Sequence, residues 1–589
     1  MGMTMHGLSY WQAESEGVEL LDTTIGDLLD RRAEELPSQE SIVYSCYPEF
    51  GDALNIRWTY QDYRERSNQV AKGLLALGLR KGDHIAVLAA NLPEWPLLVM
   101  GAAKAGLVLV TVNPLLREAE IEYILKQGDV QALFFMARVR DYNHLSMIHS
   151  LITPGEHNGK VTSEQLPMLR YVSLMGMPPA GLLEQESRRP TLFQEMIAKG
   201  SDISDEALHE RQAEITPADP VILMYTSGTT GFPKGALLSH HSLVNNAVLI
   251  TEWFDPLRAK LGQERMDDHT CLVFPFFHVA GIVGGILCPL YTGSTVCPLL
   301  AFDPVKALQV ISHKQCTLIS AVPTMLIAML QLPDFDTYDL SSLNVVFSGA
   351  APVPVSLMEQ VKTRIGADVA IVFGQTEGSC CLTSTLPDDS FELKAATVGK
   401  PLPYIDVKIS DPATDTVMPV GERGELCYRG LVAMIGYYKM PEKTAETIDD
   451  DGWLHSGDLA TMNGQGYINI VGRLKDMVIR GGENLFPREI EELLIRYPKV
   501  ADVQVLGVPD AFFGEELLAV VIPKAGEQVR EQELREYCRG QISHQKIPRY
   551  FQFVENYPMT ASGKVQKFAL REQAIRVLGL EEVAKTKTA

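Results

Sequence analysis

Eleven consecutive residues, Tyr225-Thr226-Ser227-Gly228-Thr229-Thr230-Gly231-Phe232-Pro233-Lys234-Gly235, bring together three glycines, four Ser or Thr hydroxyls and one lysine. Glycines at that density rule out a regular helix or strand. The apolar run from Val221 to Met224 ahead of them reads as a short buried strand, and a helical pattern begins at Ser239. A glycine-rich turn between a strand and a helix can aim backbone N–H groups at an anion. The hydroxyls add donors and Lys234 adds a point charge. The stretch departs from the P-loop pattern, because Pro233 stands where that pattern needs its second glycine.

Further stretches carry chemistry of a matching kind. Phe274-Pro275-Phe276-Phe277-His278-Val279-Ala280-Gly281 ends a strand in aromatic residues and one histidine. On spacing alone such a histidine is most often a satisfied core residue. Phe347-Ser348-Gly349-Ala350-Ala351-Pro352 has side chains small enough for a flat ring to approach the backbone, and it also suits a plain tight turn. Phe373-Gly374-Gln375-Thr376-Glu377-Gly378 offers a carboxylate, a hard donor that suits Mg²⁺. Trp453-Leu454-His455-Ser456-Gly457-Asp458 ends in an acceptor fit for a pair of ribose hydroxyls. Gly472-Arg473-Leu474-Lys475-Asp476 reads as a charged linker, Ile479-Arg480-Gly481-Gly482-Glu483-Asn484 as a turn open to close backbone approach, and Lys564, in Met559-Thr560-Ala561-Ser562-Gly563-Lys564, as one surface lysine among many.

Taken in this order, the stretches resemble the signatures of the adenylate-forming superfamily of acyl-CoA synthetases, luciferases and peptide-synthetase adenylation domains. The resemblance spans roughly residues 20–575. Residues 542–548 and 563–568 make the medium-chain acyl-CoA synthetase branch the nearest match. The resemblance implies an ATP-dependent acid–thiol ligase that forms acyl-AMP and pyrophosphate, then a CoA thioester and AMP. It puts ATP or AMP on Thr226, Ser227, Gly228, Thr229, Thr230, Gly231, Lys234, Gly349, Ala350, Ala351, Phe373, Gly374, Gln375, Thr376, Asp458, Arg473 and Lys564. It puts Mg²⁺ on Glu377, the acyl group on Phe277, His278 and Gly281, CoA on Arg480, Gly481, Gly482 and Glu483, and a hinge at Lys475. It also implies that Thr226, His278, Glu377 and Lys564 carry the catalysis. Phe373 stands where the family usually has tyrosine, so the stacking face is kept and a hydroxyl contact is lost.

These side chains need a scaffold of more than one domain, and 589 residues, 46% of them hydrophobic, supply it. Apolar strands at 84–88 and 107–112 alternate with helical patterns at 23–36, 93–104 and 118–127. Thr59 and Asp62 form an N-cap signature for a helix that Gly78 ends. A strand pair is expected over 40–58 around Asp52, and irregular surface connections over 152–168 and 178–216. Further strands are expected at 270–276, 315–321 and 343–348. Glycine-punctuated short strands over 396–471 suggest a small β-barrel or β-layer, and a new unit opens at Pro487. The fold class is therefore α/β. A large N-terminal domain, 1–474 (subdomains about 1–220, 221–395 and 396–474), precedes a small mobile α+β domain, 475–589.

A formal charge of −22 disfavours nucleic acid and anionic membranes as general partners. The six Lys or Arg between Arg539 and Arg571, against Glu555 alone, form a local basic site. Nine cysteines without a C-x-x-C pair suit reduced thiols in a cytoplasmic protein. No signal peptide, peroxisomal address or membrane span is evident. Weak peripheral association and oligomerisation stay open. The uncharged segment from Phe274 to Tyr291 favours an apolar acid, with Gly281, Gly284 and Gly285 leaving room for a long or cyclic acyl group. Two other readings stand beside this one: transfer of acyl-AMP to a carrier protein, or a CoA ligase for aryl, alicyclic or other small acids. A catalytically dead nucleotide-binding scaffold is disfavoured by the intact Glu377, Asp458, Arg473 and Lys564.

Overall fold

The computed structural model describes residues 3–4, 7–13, 17–48, 54–154, 160–179, 190–226, 233–480, 483–559 and 565–585. The chain forms two compact units, one of residues 12–406 and 429–454, the other of 3–11, 407–428 and 455–589.

The first unit rests on two sheets. The eight-stranded one runs in the order Thr191–Leu192, Tyr171–Met175, Val130–Met136, His84–Leu88, Val108–Val112, Pro220–Thr226, Lys234–Ser239, Gly436–Tyr437. Its strands are parallel as far as Pro220–Thr226, and the last two pairings are antiparallel. The nine-stranded sheet has a parallel centre made of Asp368–Phe373, Val345–Gly349, Leu318–Ser320, His269–Leu272, Thr295–Pro298 and Glu40–Tyr44. Antiparallel strands finish both of its edges. Parallel sheets need cover on both faces. The sequence provides for this, since every residue of His84–Leu88 and of Val108–Val112 is buried. No helix among the described residues is long and apolar enough to cross a membrane.

Two expectations are corrected. Residues 178–216 were expected to be irregular, yet they contain the helices Phe193–Ala198 and Asp205–Ala213. Ser204 caps the second by accepting from Ala207 N–H at 3.1 Å, while only Leu208 and Gln212 are buried. The helix thus has a cap but almost no apolar stripe for periodicity to reveal. The glycine-rich stretch, moreover, leads into a strand rather than a helix. Lys234–Ser239 pairs antiparallel with Pro220–Thr226, and the helix starts only at His240, with Ser239 as its cap. Six residues of strand are too few for a period to stand out against the helix behind them.

The second unit holds a six-stranded sheet in the order Met3–Thr4, Tyr10–Gln12, Ile405–Ser410, Gly424–Gly430, Leu454–Met462, Ile468–Arg473. This is the expected β-layer, extended by two N-terminal strands. A second sheet is centred on Gly514–Pro523, which pairs with Val500–Asp510, Val478–Arg480 and Tyr550–Phe553. Alternate residues of Gly514–Pro523 feed two separate cores. Leu517, Ala519 and Val521 pack with Ile490, Leu494 and Leu534, whereas Leu518 and Val520 pack with Leu570 and Ala574. Four of the six basic residues between Arg539 and Arg571 are paired with carboxylates. Lys546 pairs with Glu489 at 2.5 Å, Arg549 with Asp510 at 2.9 Å, Lys567 with Glu491 at 3.0 Å and Arg571 with Glu515 at 3.3 Å. The partners come from elsewhere in the unit, so counting charges along the run overstated its field.

The cap read from sequence is present. Thr59 Oγ1 accepts from Asp62 N–H at 3.1 Å, and the Asp62 carboxylate accepts from Thr59 N–H at 2.9 Å. Thr59→Ala is expected to cost about 1 kcal/mol and to lower the thermal midpoint by roughly 1–3 °C. An unchanged midpoint in thermal unfolding followed by circular dichroism would place the helix start elsewhere.

Candidate active site

The antiparallel hairpin sets Thr226 directly opposite Lys234. Ser227, Gly228, Thr229, Thr230 and Gly231, which connect them, lie outside the described residues, as do Gly481, Gly482 and Lys564. Thr226 Oγ1 donates to Glu377 Oε1 at 3.1 Å. The same oxygen accepts from Tyr437 Oη at 2.8 Å. Lys234 Nζ lies 4.1 Å from the centroid of the Tyr437 ring, within cation–π range. Burial lowers the Lys234 pKa while the Glu377 charge works against that shift. Burial first, and then Glu377, raise the Tyr437 pKa, so its hydroxyl stays protonated as a donor.

Backbone bonds hold this group together. Met434 N–H donates to Glu377 O, Ser379 Oγ to Val432 O, Ile435 N–H to Leu237 O and Tyr438 N–H to Gly235 O. Residues 432–438 therefore lace the Thr376–Gly378 turn to the hairpin strand. Sequence reasoning missed Tyr437. Its only signal was a Gly-Tyr-Tyr triplet ahead of Pro441, which reads as an ordinary turn.

Other expected residues of this unit fall at strand ends. Gly349 ends Val345–Gly349, and Ala350 after it has φ of +63°, a left-handed backbone unusual for alanine and a mark of stored strain. Ala351 follows it. Phe373 ends its strand, Gly374 and Gln375 follow, and Thr376 Oγ1 sits 4.0 Å from Met224 Sδ. Phe277 is buried, and its ring lies 5.0 Å from that of His278, which precedes the helical run Val279–Thr292. Asn91, buried and not anticipated, fixes this aromatic turn. Its amide donates to Phe274 O and Leu299 O, and its carbonyl accepts from Phe276 N–H at 2.8 Å.

The run Val279–Thr292 contains a π-helical turn, Val283–Leu287. Pro289 has no N–H to donate back into that turn, which accounts for the widening. The expectation that three glycines here leave room is corrected. A Cβ on Gly281 would sit 2.1 Å from Pro275 O, and one on Gly285 would sit 2.4 Å from Leu272 Cδ2, so both serve tight packing. A Cβ on Gly284 would meet nothing within 4 Å. One turn further on, Cys288 is only partly buried, as is Cys380. Burial nevertheless pushes the Cys288 thiol up to about 12 and Cys380 well above its ordinary value, and the two thiols interact. Gly284, Cys288 and Cys380 thus each keep some open surface. Arg258, the cation that acts on Cys288, is spent on Asp268 at 2.7 Å and Asp255 at 3.0 Å.

In the second unit the strands Leu454–Met462 and Ile468–Arg473 set Asp458 opposite Arg473. Asp458 is 3% exposed, and its Oδ1 accepts from Arg473 Nε at 2.9 Å. Lys475 lies in the short 3₁₀ turn Leu474–Asp476. Arg480 pairs with the buried Glu516 at 2.6 Å and covers the Phe513 ring at 4.0 Å. Glu483 opens the strand Glu483–Leu485.

The profile of the AMP-binding enzyme family matches residues 29–438, and that of the AMP-binding enzyme C-terminal domain matches residues 489–564. A Bacillus subtilis (strain 168) protein, YngI, named provisionally as an acyl-CoA synthetase, is 43% identical over 95% of this chain and 99% of its own. The mitochondrial medium-chain acyl-CoA ligase ACSF2 of Homo sapiens is 37% identical over 98% of this chain and 91% of its own. The crystal structure of the anthranilate CoA ligase AuaEII with anthranoyl-AMP superposes with a TM-score of 0.76 at 26% identity, covering 94% of this chain and 98% of that one. A carboxylate on a 3₁₀ turn, held by two hydroxyls, one of them on the ring that meets Lys234, is thus found in a chain that matches such enzymes along nearly its whole length: it belongs to the adenylate-forming AMP-binding enzyme family and is an acyl-CoA synthetase.

Proposed function

We propose that the enzyme activates an apolar carboxylic acid, a medium- or long-chain fatty acid, and passes it to CoA in the cytoplasm. The observation that carries this reading is the uncharged helical run Val279–Thr292, which leaves the space beside Gly284 open and whose neighbouring cation Arg258 is already paired. A second carboxylate would find no partner there, whereas each CH₂ buried would add up to about 0.8 kcal/mol. Phe277 and His278 stand at the start of that helical run, as an acyl gate. The similarity to an anthranilate CoA ligase favours one second reading, in which the acyl site takes a ring.

In the first half-reaction a carboxylate oxygen attacks the α-phosphorus of ATP, and pyrophosphate leaves. Thr226, Lys234 and Thr376 position the phosphates, Gly349 to Ala351 and Phe373 flank the adenine, and Asp458 and Arg473 meet the ribose. Positioning and charge neutralisation supply most of the barrier reduction. Glu377 fits Mg²⁺, since it is a hard carboxylate already oriented through Oε1 by two hydroxyls. When bound, the ion would neutralise charge on the phosphates. Lys564 then donates to the charge that builds on the α-phosphate. In the second half-reaction residues 475–589 turn about Lys475, and Arg480 to Glu483 approach with CoA. The thiolate sulfur bonds to the acyl carbon, the carbon–oxygen bond to phosphate breaks, and AMP leaves.

Two experiments test this reading. kcat/KM for pyrophosphate release should climb with chain length from acetate to octanoate, then level. Gly284→Leu, by filling the space open beside Gly284, should move that optimum several carbons shorter. Acetate outrunning octanoate, or an unmoved profile in Gly284→Leu, contradicts the apolar assignment. Lys564→Ala should lose on the order of 10² to 10³ in forming acyl-AMP, yet convert synthetic acyl-AMP and CoA to thioester at nearly the normal rate. An equal defect in both half-reactions would rule out a lysine that serves adenylation alone.

A further inference from the structure

Behind Asp458 lies a buried polar cluster that the reaction scheme does not use. Glu425, in the strand Gly424–Gly430, is 7% exposed. One of its oxygens, Oε1, accepts from Gly457 N–H at 2.9 Å, and the other, Oε2, accepts from His455 Nδ1 at 2.9 Å. A single carboxylate therefore bridges both sides of the turn His455-Ser456-Gly457 that delivers Asp458. Ser456 Oγ donates to Leu426 O at 2.5 Å and accepts from Asp458 N–H at 3.0 Å, which ties the turn to the same strand. Gly457 has φ of +71°, a conformation that glycine adopts without a Cβ clash. The turn is left-handed, tightly bonded and fixed from one side.

We propose that Glu425, together with His455, is a positioning residue for nucleotide recognition, holding Asp458 where it meets the ribose hydroxyls. The inference rests on the assignment of Asp458 to the ribose. Asp458 is nearly buried and already faces Arg473, so a small rotation of its turn would misplace the acceptor toward two ribose hydroxyls at once. Cys427 and Glu425, both facing His455 Nδ1, raise the His455 pKa to about 10, which favours a charged pair with Glu425. The cluster could also be read as a metal site, because ligand atoms of Asp415, Cys427 and His455 lie within 4.8 Å of one another. Two contacts argue against that. His455 Nδ1 faces Glu425 Oε2 at 2.9 Å, closer than Cys427 Sγ at 3.4 Å, and the Asp415 carboxylate is paired with Lys408 Nζ at 2.7 Å.

The test compares ATP with 2′,3′-dideoxy-ATP in pyrophosphate release. The wild-type enzyme should prefer ATP in kcat/KM, and Asp458→Ala should abolish that preference. Glu425→Ala and His455→Gln should lower the preference about tenfold, mainly through KM for ATP, with little change for the dideoxy substrate. Glu425→Gln, which keeps an acceptor for Gly457 N–H, should recover most of it. A variant that was merely less stable would lose activity on both nucleotides alike. If Glu425→Ala does not fold, Glu425→Gln and His455→Gln carry the comparison. A wild-type preference in Glu425→Ala and His455→Gln, with Asp458→Ala having lost it, overturns the inference. A wild-type preference in Asp458→Ala overturns the ribose assignment, and the inference with it. One equivalent of zinc in the purified wild-type protein, absent from Cys427→Ser, would replace the ion pair by a metal centre and also overturn it.

Discussion

Glu377 Oε1 accepts two hydroxyl protons, from Thr226 at 3.1 Å and from Tyr437 at 2.8 Å. Three segments remote in sequence meet at that one atom: the end of a central strand, a 3₁₀ turn, and an edge strand. Hydrogen bonds to a charged acceptor contribute about 1.5–3 kcal/mol each, and these two also fix the direction of the carboxylate. The Tyr437 ring has a second task, since its face holds the Lys234 ammonium. One side chain thereby contacts both the Glu377 carboxylate and the Lys234 ammonium. Loss of the Tyr437 hydroxyl alone would leave the cation–π contact, so the two tasks are separable.

The same economy governs the second unit. Asp458 and Arg473 are neighbours by sheet register, and their ion pair satisfies a carboxylate that would be costly to bury alone. On the proposed reading a ribose takes over part of that acceptor. Arg480 and Glu516 form a comparable pair next to the turn assigned to CoA. Among the described residues, Glu377, Asp458, Arg473 and Arg480 are each paired with protein groups, so on the proposed reading ligand binding exchanges partners rather than burying bare charge.

Much of this was legible in the sequence, for stated reasons. The parallel cores announced themselves as unbroken apolar runs, such as His84–Leu88, because both faces are covered. Thr59 and Asp62 marked a helix start because a capping box is a local device. The Thr226, Glu377, Asp458 and Arg473 stretches stood out by residue type and order. What was not legible depended on distant partners. The strand Lys234–Ser239 is defined by its neighbours Pro220–Thr226 and Gly436–Tyr437, and nothing within six residues announces them. Asn91 and Tyr437 act through residues 185 and 60 positions away. Gly281 and Gly284 look alike in sequence, and only the packing of Pro275 tells the filled position from the open one. The charges after Arg539 likewise looked free until their acidic partners were placed.

The central claim is that a carboxylate oxygen attacks the α-phosphorus at the site centred on Glu377. It is tested most directly by running one turnover with octanoate labelled with ¹⁸O in both carboxyl oxygens, together with ATP, Mg²⁺ and CoA, and weighing the products. Attack at the α-phosphorus followed by thiolysis of the acyl carbon leaves one labelled oxygen in AMP, one in the thioester carbonyl and none in pyrophosphate. Unlabelled AMP, or ADP with a labelled phosphate, would contradict the account.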